Sequence, residues 1–184
     1  MKALRYVIQS ALLIAIVMFF QSCYESAYPL TASGEAVPKN LIGTWYETKN
    51  LNDAKDKRKN FEITKGKKNT LIIKKQEYNT TEKTWDVTWY KGHLSKVKEA
   101  LFLNWQEVSE EDLENDNVDG AMYRFFKLNN EGSLLRLSSV TGNISEEFED
   151  SKSLYDFFSK SYDKSFFYDK SEELVLIKKE TIEK

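Results

Sequence analysis

The sequence predicts a mainly β, antiparallel fold in which consecutive short strands form a meander, closed into a barrel or folded into a sandwich. Three observations predict it. Runs of alternating apolar and polar residues, or of continuous β-formers, recur at short, regular spacing. Clusters of Gly, Asn and Lys separate them. A single segment, late in the chain, has helical period instead.

In order, the expected strands are Thr44 to Lys49, Asn60 to Thr64, Thr70 to Glu77, Thr84 to Tyr90, Ala100 to Val108, Ala121 to Leu128, Ser133 to Val140 and Glu173 to Lys179. The stretches "TKGKKNT" (Thr64 to Thr70) and "LNNEGS" (Leu128 to Ser133) read as hairpin connections containing glycine. Between the seventh and eighth strands, Ser145 to Tyr162 carries Leu154, Phe157, Phe158 and Tyr162 at the spacing of one helical face, with Ser145 placed as its cap.

A chain of 184 residues is long enough for one domain with a sizeable core, and 14% aromatic residues are too many for a disordered chain even at 30% charge. The net charge of −2 is unevenly laid out. Lys49 to Lys98 holds 14 basic against 6 acidic residues, a balance of +8; Glu99 to Asp150 holds 3 against 13, a balance of −10. When consecutive strands pair, such segments are ordinary solvated faces, and nothing points to a nucleic-acid partner.

The first 22 residues read as an export signal. Lys2 and Arg5 precede the apolar run Ala11 to Phe20, which is too short to span a bilayer. The run ends in Phe20-Gln21-Ser22-Cys23, with the chain's single cysteine. This resembles the lipobox of bacterial lipoproteins, matching at Ser22 and Cys23 and departing at Phe20 and Gln21. The resemblance implies cleavage before Cys23, diacylation of its thiol with chains such as palmitate, and retention at a bacterial outer membrane, on its periplasmic face or at the cell surface. Two or more acyl chains make a stable anchor where one does not. The alternatives are an ordinary signal peptide with an unrelated cysteine, or a short anchor. Residues 23–40, rich in small residues and containing both prolines, read as a lipidated tether, and 41–184 as the folded domain.

Gly43-Thr44-Trp45 at the start of the first strand resembles the Gly-x-Trp motif of lipocalins and related calycins. That resemblance implies a barrel of about eight strands followed by a helix and a final strand. Gly43 and Trp45 take structural roles in it: the tryptophan plugs the closed end against a late basic residue, for which Lys178 or Lys179 is placed. Asp119 to Tyr123 approaches a second family motif only loosely. Uncharacterised lipoproteins of Bacteroidota-type bacteria are similar in combining such a strand with a relaxed lipobox.

Chemistry-bearing clusters are sparse. His93 is the only histidine and reads as a turn residue, so His-pair metal sites and His-based triads with redundancy are excluded. Asn115, Asn117 and Asp119 with Gly120 mimic half a calcium loop, but the position that needs a closing glutamate is Phe126. No phosphate-binding loop or nucleophile elbow is present, and no cofactor or metal is expected.

Aromatic residues remain. Most fill a barrel core, yet "ALFLN" and "YRFF" are bulky on both faces, which implies a ligand cavity with a covered outer face, or a partner patch. The expectation is a non-enzymatic, membrane-anchored module binding a small apolar or amphipathic ligand, with Trp85, Trp89, Leu103, Trp105 and Phe126 as walls. The alternative is an accessory subunit or inhibitor in a cell-envelope complex.

Overall fold

A computed structural model describes residues 23–114, 118 and 120–183. The expected barrel is there: eight antiparallel strands close on themselves, with one short strand added. The added strand is β1 (Glu25–Ser26); the barrel strands are β2 (Gly43–Glu47), β3 (Asn60–Lys65), β4 (Thr70–Asn79), β5 (Thr84–Val97), β6 (Ala100–Val108), β7 (Tyr123–Asn130), β8 (Leu134–Val140) and β9 (Tyr168–Lys178). Each pairs with the next, and β9 returns to β2 with Trp45 opposite Lys178. Closure leaves no long sheet edge exposed.

Hairpin geometry departs from the glycine rule at one end. In the β3–β4 turn the left-handed residues are Lys68 and Asn69, while Gly66 is extended and its N–H donates to Thr70 O at 2.8 Å. Gly66 is needed for space: a Cβ there would lie 2.4 Å from Thr70 Oγ1. In the β7–β8 turn Gly132 does take the left-handed role, at φ +80°.

Alternation within the strands sorts the side chains into two cores. Leu71, Ile73, Leu94, Leu103, Leu135, Leu137 and Leu176 point inward with Trp45 and Phe61 and fill the barrel. The space left among them is about 10 Å³, the room one water needs. Trp45 is fully buried at the floor, its indole N–H donating to Leu41 O at 3.0 Å and Lys178 Nζ standing 5.5 Å from its ring. The late cation is therefore Lys178, brought there by its register opposite Trp45.

The second core lies outside the barrel. Phe102 and Phe125, alternating with inward Leu101, Leu103 and Phe126, face α1 (Ser151–Ser161). Phe158 of α1 is ringed by Phe102 at 5.4 Å, Phe125 at 5.2 Å and Phe167 at 4.9 Å. This covered face explains why "ALFLN" and "YRFF" are bulky on both sides. The helix begins six residues later than Ser145, because Asp150 is the cap: its carboxylate accepts from Ser153 N at 2.7 Å.

The same core holds the N-terminal segment. Tyr24 and Leu30 are buried in it, Leu30 N donates to Asn104 Oδ1 at 2.8 Å, and Glu35 N donates to Leu94 O at 2.8 Å. Residues 24–35, which composition marks as a tether, are strapped down the outer face of β6 and β5.

His93 lies in the middle of β5 beneath this strap, and not in a surface turn as expected. Its Nε2–H donates to Thr31 O at 2.9 Å, and burial holds its pKa below the ordinary 6.5. The expected strand ended at Tyr90, before Gly92 and His93. In the structure Gly92 pairs with Trp105, and a Cβ there would sit 2.5 Å from Asn104 O, so the glycine admits a close strand approach.

The acidic connection after β6 folds back toward the basic strands, with Leu113 among Lys65, Lys67 and Lys91. Asn115, Asn117 and Asp119 lie outside the described residues.

Candidate functional site

The barrel has two unlike ends. At the floor, where β2 begins, apolar side chains close it. At the mouth, where β2, β4, β6 and β8 end, the inward positions turn charged: Glu47, Lys75, Glu77, Glu107 and Arg124. Lys59 lies 2.9 Å from Glu47 and 3.7 Å from Glu77, and Lys75 lies 2.9 Å from Glu77. The Lys75 hydrogen bond, with Lys59 nearby, holds the Glu77 carboxyl below the usual range.

Beneath the charged ring lies a layer of aromatic rings. Tyr90 and Trp105 approach to 4.3 Å between centroids, and Trp105 and Phe126 to 5.1 Å. Burial, with Glu107 beside it, pushes the Tyr90 hydroxyl up, so it stays a neutral donor at physiological pH. Above these rings a crevice of about 190 Å³ opens between Tyr90, Trp105, Glu107, Met122, Arg124 and Glu25. Arg124 Nε donates to Glu25 Oε1 at 2.7 Å, so β1 supplies one wall.

Glu25 and Met122 also line a neighbouring groove of about 500 Å³, which has Cys23 and Phe148 among its walls. Cys23 is bridged to Thr141, donates to Glu172 Oε2 at 2.6 Å and accepts from Ser139 Oγ at 3.0 Å. Burial and the Glu172 carboxylate raise its pKa.

The five residues expected to line a ligand cavity separate. Leu103, Trp105 and Phe126 do face inward, but they interlock with their neighbours and enclose no ligand-sized space. Trp85 and Trp89 stand on the outer face, because β5 alternates from inward Tyr90. Trp85 packs on Tyr78 at 5.5 Å, and Lys74 Nζ lies 5.0 Å from the Trp89 ring.

Only Trp105 of the expected set belongs to the mouth. Sequence reading missed Glu25, Tyr90, Glu107 and Arg124. The available signal was the change, along single strands, from apolar to charged at inward positions: Leu101-Leu103-Trp105-Glu107 on β6, and Leu128-Phe126-Arg124 on β7.

No protein-family profile, curated protein or solved structure matches the chain.

Proposed function

We propose that this chain is a non-enzymatic lipoprotein of a bacterial cell envelope, anchored through acylated Cys23, that engages an amphipathic ligand at the barrel mouth and not in the barrel interior. One observation carries the reading. The interior leaves about 10 Å³, whereas the mouth offers a crevice of about 190 Å³ that shares Glu25 and Met122 with the groove at Cys23. Ligand sites of a few hundred Å³ are ordinary for small molecules.

The lining sets the chemistry. Glu25, Glu107, Glu146 and Glu147 face one cation, Arg124, which Glu25 already pairs. The surplus of carboxylates, over the Tyr90 and Trp105 rings, suits a cationic head group. Met122, Ile144 and Phe148 suit an attached apolar chain.

The second reading, a subunit of an envelope complex, is favoured by a different place. On the outer face of β7 to β9 a groove of about 360 Å³ sets Lys127, Arg136 and Lys170 against one carboxylate, Glu173, which suits an acidic partner segment.

Native mass spectrometry of the full chain from its own host tests both readings. The proposal expects a chain starting at Cys23, heavier by its acyl groups, with a bound small molecule. A bound protein and no small molecule favours the second reading. An unmodified Cys23 removes the anchor.

A further inference from the structure

Among the described residues the large apolar side chains left exposed are Tyr28, Trp85, Val87, Met122 and Phe166, the last 75% exposed. All five lie toward the mouth end. Trp85 and Val87 belong to the tip of the β4–β5 hairpin, which runs past its neighbours: β4 leaves β3 after Gln76, and β5 meets β6 only at Trp89. Met122 precedes β7, and Phe166 precedes β9. Tyr28 follows β1, whose last residue pairs with Tyr123 at the start of β7. The floor-end turns, by contrast, read Gly66-Lys67-Lys68-Asn69, Lys98-Glu99 and Asn130-Glu131-Gly132-Ser133. They carry no large apolar residue.

The chain also enters the barrel at this end. Cys23, where the described residues begin, is bridged to Thr141, and Tyr24 N donates to Val140 O at 3.1 Å. Thr141 N in turn donates to the carbonyl of Phe167, next to Phe166. With residues 24–35 strapped to the barrel, no slack separates Cys23 from the rim.

We infer that the mouth rim is a bilayer-docking surface, with Trp85, Val87, Met122 and Phe166 entering the interfacial layer of the membrane to which Cys23 is attached. The inference rests on the anchor reading for its attachment point, and on the placement of exposed apolar side chains for the rest. Tryptophan, tyrosine and flanking lysines suit the boundary between head groups and acyl chains. Lys57 Nζ lies 4.9 Å from the Tyr78 ring on this hairpin, its charge free to stay in the head-group region. Charges near Cys23 are mostly acidic, with Glu25, Glu146, Glu147 and Glu172 against Arg124, so the contact rests on the apolar side chains and on a zwitterionic bilayer is insensitive to salt.

Tryptophan quenching tests it, since Trp45 and Trp105 are buried and only Trp85 and Trp89 face outward. The full chain, as its host processes it, is placed on phosphatidylcholine vesicles with brominated acyl chains. Roughly half the outward tryptophan emission should be quenched, at low and high salt alike, and most of that quenching should vanish in Trp85→Phe. Intact mass is read in parallel. An acylated chain that co-floats with the vesicles while Trp85 stays unquenched overturns the docking surface and leaves the anchor standing. An unacylated chain that co-floats with Trp85 quenched does the reverse. An unacylated chain that does not co-float overturns both. Quenching that appears only when an envelope protein is added overturns the bilayer as occupant.

Discussion

Trp45→Ala should lower the unfolding free energy by about 3–5 kcal/mol, the range for removing a large aromatic ring from a packed core. Trp45 is fully buried, seals the floor against Leu41, and has Lys178 over its ring. Removing it leaves a cavity, an unpaired Leu41 carbonyl and a lysine without its aromatic neighbour. The interior has almost no free space into which neighbours could slide, which keeps the cost high. Urea unfolding followed by far-ultraviolet circular dichroism reads it. A loss below about 1 kcal/mol would mean the floor is not packed as described.

Asn104→Ala should release the N-terminal strap while leaving the barrel closed. The side chain is fully buried and makes three hydrogen bonds: it accepts from Leu30 N at 2.8 Å and donates to Ser95 Oγ at 2.7 Å and His93 O at 3.1 Å. Without it, a strap that stays in place buries an unpaired N–H at a cost of about 1–3 kcal/mol. The Leu30 and Glu35 amides should therefore exchange roughly 10- to 100-fold faster, while barrel amides such as Ile73 keep their protection.

Acid should loosen the same strap by another route. Because burial lowers the His93 pKa, the folded state binds fewer protons than the unfolded one. Stability is then complete above about 6.5 and falls as pH drops below it, toward the folded pKa. Unchanged exchange in Asn104→Ala would mean that the buried Tyr24 and Leu30 side chains and the bonds at Thr31 and Glu35 hold the segment without Asn104.

Much of the fold was legible because β period and turn chemistry are local. All eight expected strands form, and the helix sits before the last one. Boundaries failed where a tertiary contact decides them. The expected strand stops at Tyr90, yet β5 continues through Gly92, because Asn104 and Leu103 of the next strand occupy the space a side chain there would need. Strand β9 begins at Tyr168, five residues before the expected start at Glu173, because Ser139 and Val140 pair with Asp169 and Tyr168 across a bulge.

The tether was misread for a similar reason. Its small residues and prolines resemble a linker, but Tyr24 and Leu30 are spaced to meet aromatic rings that lie 70 or more positions later. The mouth was harder to read: single strands do change from apolar to charged at inward positions, but Glu47, Lys75, Glu77, Glu107 and Arg124 come from β2, β4, β6 and β7 and meet only once the barrel is closed.

Methyl and indole nuclear magnetic resonance of the full chain, titrated with dodecyltrimethylammonium, tests the placement of binding most directly. The Met122 methyl and Trp105 indole signals should shift together, and more than with dodecyl sulfate, while the Leu41, Leu71 and Leu135 methyls stay fixed. Equal shifts at those three floor and interior leucines would place the ligand inside the barrel and contradict the account. Fixed Met122 and Trp105 signals throughout would remove the mouth as a site.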